Sequence, residues 1–524
     1  MELLKKNIRM TWQKAKAVTQ ITLEEDRNVP DSRPDTESII QTKGVVRLEE
    51  VKSSQGQIHI VGYLEVHILY TAENEAHTLH RLETKLPFDE MLNMEEAQAG
   101  DSIDLEKEIE DLNVHLINSR KLSIQAVVTF RASISDLYDA QAAVELHGVE
   151  NLGTKTREIR PLSLTVQTRD ILRVREEIPL ASNKPNIGEI LWENVQLRGT
   201  DIRVLDGKLD VRGELFVFVL YNADDGSGAR QWMEAALPFQ QILELSGAAP
   251  SNVPDVEIDL SSASIEAKAD YDGEPRLLGM EAVLELSIRL FQEETVEILE
   301  DVYTPDMELI PQRKEETYES LVVRNFSKCR AGERMRLEAK KPRMLQICHS
   351  QGEVKVDDIR AEVRGLKVEG AVYVTILYVT SDDAMPFALM HGNIPFQHLI
   401  EVEGLNENCR YLLRASAEQL SATMIDSEEI EVKAGIDLNA FVVEQHKENC
   451  VFAVESQPLD LERIKELPSI TGYIVQPGDC LWDIAKEWHT TMDRIREMNH
   501  LEGPIQPGMR LILSKKIGMG AQEA

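Results

Sequence analysis

The sequence predicts a mainly β protein: three repeated antiparallel β-domains of sandwich or barrel type, then a C-terminal module of βααβ order. Three observations carry this. A spacing of prolines, glycines and aromatic residues recurs three times along the chain. Each copy holds a long run in which apolar and polar residues alternate. From Gly472 to Lys515 the pattern changes to two short helical stretches between two brief strands.

The spacing is strict. Pro34, Gly62 and Pro87 recur as Pro185, Gly213, Pro238 and as Pro342, Gly370, Pro395, with 28 residues from first proline to glycine and 25 on to the second proline in every copy. A Leu-Tyr pair follows each glycine by 7 and 8 residues (Leu69-Tyr70, Leu220-Tyr221, Leu377-Tyr378), and a Phe follows each second proline (Phe88, Phe239, Phe396). The copies are offset by 151 and 157 residues, which places the repeats at about 1–165, 166–318 and 319–462.

Each glycine sits inside a long strand. In the first copy Ile58, Ile60, Gly62, Leu64, Val66, Ile68 and Tyr70 alternate with Gln57, His59, Val61, Tyr63, Glu65 and His67. One face is therefore buried. A glycine in the middle of that face marks a bulge, a bend or a close approach by another layer, and a bend suits a strand long enough to wrap a core. The residues after each Pro-Phe (89–94, 240–245, 397–402) read as short helical turns, followed by further strands such as Leu122–Thr129 and Leu284–Leu290. Pro458 to Ser469 reads as a linker, and the C-terminal module occupies 471–516.

The residues common to the repeats are prolines, a glycine, apolar pairs and a Phe. Chemistry needs poised polar groups at fixed geometry, and apart from the tyrosine the repeats share none. The tyrosine reads as a core residue with a bonded hydroxyl. His77 and His80, beside Glu73 and Glu75, invite a metal reading, but they fall in a loop and the other copies lack them; solvated hairpin residues are the simpler account. Gly226-Ser227-Gly228 is a turn with no phosphate-loop Lys after it, and there is no Gly-x-Ser-x-Gly or His-Glu-x-x-His. No catalytic residue, metal or cofactor is expected.

With 57 basic against 91 acidic residues the formal charge is −34. Such a surface repels phosphate backbones and anionic lipid, which makes nucleic acid and membrane surfaces poor partners and basic proteins better ones. Residues 472–515 hold 6 acids and 5 bases, so the excess acid lies upstream. No run is long and apolar enough to span a bilayer, and the first residues lack an apolar signal core. Five cysteines without Cys-x-x-Cys spacing speak against a disulfide framework or zinc site and for a reducing compartment.

In the tail, Pro477-Gly478-Asp479 makes the turn out of the first strand, and Leu481, Ile484, Ala485 and Trp488 fall on one helical face. Trp482 and Trp488 both read as core. A second helix runs from about Met492 to Met498 with Thr490 or Thr491 as N-cap, and Asn499 opens the loop to Gln506-Pro507-Gly508 and the strand Arg510–Leu513. This order of turn and core residues resembles the LysM family, which binds N-acetylglucosamine in peptidoglycan and chitin. The resemblance implies a shallow sugar groove between two loops, lined by Gly478, Asp479, Cys480 and Leu481 on one side and Asn499, His500, Leu501 and Ile505 on the other. The family usually has Thr where this chain has Cys480. Because cysteine bonds weakly, the helix cap is expected to shift to Asp479 or be lost, at a cost of about 0.5–2 kcal/mol.

Acidic β-repeats followed by one LysM are similar to the SPOCS-domain spore-coat morphogenetic proteins of the clostridial SipL type, related to stage VI sporulation protein D. That resemblance implies a non-enzymatic coat-assembly scaffold in the mother-cell cytoplasm at the forespore surface. Its implied partner is a coat basement-layer ATPase or other coat proteins, with the LysM module docking protein or peptidoglycan. A wall- or cortex-binding protein and a LysM-anchored wall hydrolase are the alternatives.

Overall fold

The computed structural model describes residues 1–225, 229–459 and 468–514; the Gly226-Ser227-Gly228 turn and most of the 458–469 linker lie outside them. Repeat 1 comprises β1 (Glu2–Asn28), β2 (Thr36–Ser54), β3 (Gln57–Ala72), β4 (Leu79–Asn93), β5 (Ile103–Asn118) and β6 (Lys121–His147). They form two antiparallel three-stranded sheets, β2-β3-β4 and β1-β6-β5, which enclose one core. Repeat 3 has the same plan with β15 (Glu308–Arg336), β16 (Met344–Glu362), β17 (Gly365–Thr380), β18 (Phe387–Glu401), β19 (Cys409–Met424) and β20 (Glu429–Gln457).

Repeat 2 divides the two outer paths. β7 (Gly153–Ile159) and β8 (Leu162–Pro179) stand where repeat 1 has β1, while β13 (Pro275–Glu293) and β14 (Val296–Tyr303) stand where it has β6. Pro161 falls in the first break, where a missing N–H ends ladder pairing. Between them β9 (Ile187–Leu205), β10 (Lys208–Ala223), β11 (Arg230–Glu244) and β12 (Val253–Ala269) complete the sandwich. Strand β8 crosses the expected 165/166 boundary and β15 crosses 318/319. The chain passes between repeats in the turns before Gly153 and Glu308 instead.

The repeated residues have physical roles. Tyr70, Tyr221 and Tyr378 are buried in the three cores, and each hydroxyl donates to the carbonyl of its repeat's first proline: Pro34 at 3.3 Å, Pro185 at 3.1 Å and Pro342 at 3.4 Å. The second prolines lie on β4, β11 and β18, which are edge strands, so their missing N–H costs no ladder bond.

Each glycine pairs across the sheet with the Phe after that proline: Gly62 with Phe88, Gly213 with Phe239, Gly370 with Phe396. The ring covers the glycine so closely that a Cβ would stand 2.9, 2.8 and 2.9 Å from the three Phe Cζ atoms. On the other flank the ladder slips by a bulge opposite each glycine, between Leu48 and Glu50, between Arg212 and Glu214, and between Val356 and Asp358. Close approach with a bulge in the neighbouring strand therefore replaces the expected bend. The expected helical turns after Pro-Phe are also corrected. β4, β11 and β18 continue as strands to Asn93, Glu244 and Glu401, because Leu92 and Ile400 keep up the buried alternation begun by Phe88 and Phe396.

The tyrosine of each Leu-Tyr pair faces its own core, and the leucine faces the neighbouring repeats. Leu69, Leu220 and Leu377, all at most 2% exposed, meet in one apolar cluster with Leu191, Trp192 and Cys348. Beside it Lys43 Nζ donates to Asn194 Oδ1 at 3.2 Å, and Asn194 Nδ2 donates to Gln351 Oε1 at 3.1 Å. These three residues occupy equivalent positions in the three repeats. Repeat 3 closes on repeat 1 through Lys355 and Glu108 at 2.6 Å, and on repeat 2 through Arg414 and Asp255. The outer halves of β1, β6, β15 and β20 meet β14 in a second apolar layer around Ile8, Ala142, Ile298, Tyr318 and Cys450. The repeats thus form a closed ring of three.

Candidate functional site in the C-terminal module

The tail folds as β21 (Ile470–Ile474), α1 (Leu481–Glu487), α2 (Met492–Asn499) and β22 (Arg510–Ser514), with β21 and β22 antiparallel. Val475, Ile484, Ala485, Ile495, Leu511 and Leu513 make its core. Thr491 caps α2, its hydroxyl accepting from Arg494 N at 3.2 Å. Val475 N donates to Met509 O at 2.9 Å and Gly508 N to Val475 O at 2.8 Å, which ties the two loops that flank the expected groove.

Gly478 stands exposed at φ 97°, a left-handed conformation that the Pro-Gly turn requires. Asp479 braces the same turn: its Oδ2 accepts from the Tyr473 hydroxyl at 2.6 Å and from Gln476 N at 2.7 Å. The bond to Tyr473 holds the Asp479 carboxyl below its usual range and pushes the tyrosine hydroxyl up to about 12.

With Asp479 so engaged, the cap does not move to it. Cys480 keeps extended N-cap dihedrals, its sulfur accepts from Asp483 N at 3.4 Å, and its thiol donates to Asp483 Oδ2 at 2.8 Å. The sulfur thus takes the N-cap part of a hydroxyl, while the Asp483 carboxylate answers the thiol rather than the Cys480 backbone N–H.

On the facing loop, Asn499 ends α2 rather than opening the loop. Its amide donates to Ile495 O at 2.9 Å and Ile512 O at 2.8 Å and accepts from Ile512 N at 2.6 Å, clamping helix to strand. That side chain is committed to the fold. His500 is exposed in the left-handed region (φ 51°) and ends the helix. Cys480, Leu481, Leu501 and Ile505 are half-buried on the module's single core, which holds both loops at the same end. What the loops offer a ligand is chiefly backbone and small apolar surface around Gly478 and His500.

Trp482 is buried, as read from the sequence, but it is buried partly against repeat 2. Its ring stands edge-on to Tyr303 with centroids 4.7 Å apart, and its Nε1 donates to Asp301 Oδ2 at 3.3 Å. Lys486 Nζ meets the same oxygen at 2.6 Å. The module is seated on the two-stranded β7–β14 sheet by this face of α1. Sequence reading missed Asp301 and Tyr303 because nothing local marks a residue such as Asp301, whose partner Trp482 lies 181 residues away. Elsewhere, His77 Nδ1 meets Glu37 at 2.6 Å and His80 Nε2 meets Thr78 Oγ1 at 2.9 Å, so the two histidines face different partners.

Comparison with known families agrees with this architecture. The family described as SipL, SPOCS domain, matches residues 35–117, 186–268 and 343–425, and the LysM domain matches residues 473–514. The three matches begin one residue after Pro34, Pro185 and Pro342 and end in β5, in β12 and one residue past β19. The long strands β1, β6, β15 and β20 and their counterparts in repeat 2 therefore lie largely outside the matched segments. No curated protein and no solved structure matches the chain. Three SPOCS domains and one C-terminal LysM domain place this chain in the SipL-type SPOCS/LysM family.

Proposed function

We propose that the protein is a non-enzymatic scaffold of the spore envelope, placed in the mother-cell cytoplasm at the forespore surface, where it docks coat proteins. The observation that carries this reading is the fate of the repeated residues. All are spent on packing: Tyr bonds the first proline in each core, the glycine on the central strand is covered by the Phe on the edge strand beside the second proline, and the Leu serves the joint between repeats. That is the economy of an assembly domain, and the two families found are binding domains. A coat basement-layer ATPase or another coat protein is the proposed partner, and the LysM groove loops are the proposed contact.

The same loops support a second reading, binding of N-acetylglucosamine glycan, because LysM is a glycan-binding family and Gly478 leaves open backbone there. The test compares the full chain with a chain lacking 471–516. In lysate from sporulating cells, recovery of a coat protein only by the full chain supports the scaffold. Pelleting with purified peptidoglycan that is lost on deletion supports the glycan reading. A lysis band from the full chain on zymography would overturn the non-enzymatic assignment.

A further inference from the structure

The joint between repeats 1 and 2 holds a half-open cavity of about 490 Å³, one side of which is ionic and the other apolar, with Val45, Trp192 and Leu260. Lys43 from β2, Glu65 and His67 from β3 and Arg81 and Glu83 from β4 face Glu193 from β9. The threefold repetition supplies an internal control. At the positions of Glu65, His67 and Arg81, offset by 151 residues, repeat 2 carries Phe216, Phe218 and Trp232. There the ring of His349 from repeat 3 stacks on Phe218 at 4.2 Å and on Phe216 at 6.2 Å. At these three positions the next joint therefore packs rings where the first has charges, with Glu234 and Arg198 beside them. An ionic wall where an aromatic one is available asks for a ligand.

The hydrogen-bond inventory says which kind. The carboxylates are answered by cations, Glu65 by Arg47 at 3.3 Å, Glu83 by Arg81 and Glu193 by Arg81 at 3.6 Å, and Arg81 Nη2 also donates to His67 Nδ1 at 3.3 Å. The cations have donors to spare. Lys43 has three N–H donors and gives one to the neutral amide oxygen of Asn194. Arg81 Nε is buried with no acceptor among the described residues. Burial lowers the Lys43 pKa, so an anion beside it would also hold its proton in place. We propose that this cavity binds a small anion bearing a carboxylate or phosphate group, held by Lys43 and Arg81.

The test is calorimetric titration of the full chain with inorganic phosphate and, separately, with succinate, each against sodium chloride of equal ionic strength. A saturable heat from one of the two is expected, and which one responds distinguishes phosphate from carboxylate. Lys43→Gln installs the side chain that repeat 3 carries at the equivalent position, Gln351. It is expected to weaken binding about tenfold or more, as loss of a charge-assisted hydrogen bond should. The double change Glu65→Phe with His67→Phe copies the wall of the next joint and is expected to abolish binding by filling the cavity. Absence of saturable heat from both anions, or binding undiminished in both variants, would overturn the proposal.

Discussion

Where the three repeats meet, Leu69, Leu220 and Leu377 disappear into one apolar cluster flanked by a polar relay and reinforced by a second layer of long strands. Where the LysM module meets repeat 2, one aromatic pair, a bond between Tyr303 and the Met492 backbone, and one carboxylate shared by two donors make the contact. Apolar burial scales with area, so the first joint should unfold with the repeats and the second should open while both sides stay folded. The ring is a platform, and the LysM module is a part set on it.

The largest expected effect comes from breaking the first joint. Leu220 is fully buried and touches no part of its own sandwich core cluster. Leu220→Ala should cost about 2–5 kcal/mol in denaturant unfolding of the full chain. A cost within ~0.5 kcal/mol, the range of a surface change, would mean that the repeats stand independently and that the ring contributes little.

A second perturbation of the same joint uses pH. His349 is buried against Phe218 and is faced by Glu234 from β11, Asn194 and Arg198 from β9, and Lys43 from β2. Burial holds its imidazole below the ordinary 6.5, against the pull of Glu234. In the unfolded chain it titrates near its ordinary value, so below about pH 6.5 the unfolded state binds the proton first and stability falls, by up to about 1.4 kcal/mol per pH unit, until the folded pKa is reached. Above that window the contribution is complete. His67, His80 and His391 are shifted the same way by burial, so the quantity to measure is the difference between the unchanged chain and His349→Gln. Parallel stability curves from pH 7.5 to 5.5 would remove His349 from the account.

The second joint should yield to Tyr303→Ala. Loss of the edge-on ring pair is worth about 0.5–1.5 kcal/mol beyond area burial. Tyr303 joins one edge of the LysM core, while Val475, Ile484, Ala485, Ile495, Leu511 and Leu513 all come from the module itself. The expected result is a larger maximum dimension in small-angle scattering with unchanged far-ultraviolet dichroism. If the dimension is unchanged, the seat rests on the Asp301–Lys486 bond instead, and Asp301→Asn should then release it.

The two regions also differ in how much of them the sequence discloses. Alternation in β3, β10 and β17 and the spacing of proline, glycine and Phe are local signals, and they identify the β repeats directly. The meaning of the Leu-Tyr pair was half legible. Tyr70 announces a core, but that Leu69 serves the neighbours follows only from how three sandwiches close on one another. The turns expected after Pro-Phe failed for a related reason: a Phe that must lie over a glycine across the sheet keeps its strand extended, and that partner is 26 residues away. In the LysM module the helices, the Thr491 cap and the loops were readable because their determinants sit within a turn of each other. The Asn499 clamp was not, since Ile512, its partner, belongs to another element.

The smallest expected effect tests the one departure of the LysM module from its family. Cys480 caps α1 with a sulfur, accepting from Asp483 N and donating to Asp483 Oδ2. A hydroxyl is the stronger acceptor for a backbone N–H, and the extended N-cap dihedrals already suit threonine. Cys480→Thr should therefore stabilise the LysM module by no more than about 1 kcal/mol, seen as a small rise in its melting temperature with the ring's transition unmoved. A fall instead would show that the thiol–carboxylate bond to Asp483 outweighs a better cap. It would also mean that the cysteine is fitted to its place, as the serial packing of the repeats suggests for residues elsewhere in the chain. A shift in both transitions would show that the seat on repeat 2 couples the module to the ring more tightly than its contacts imply.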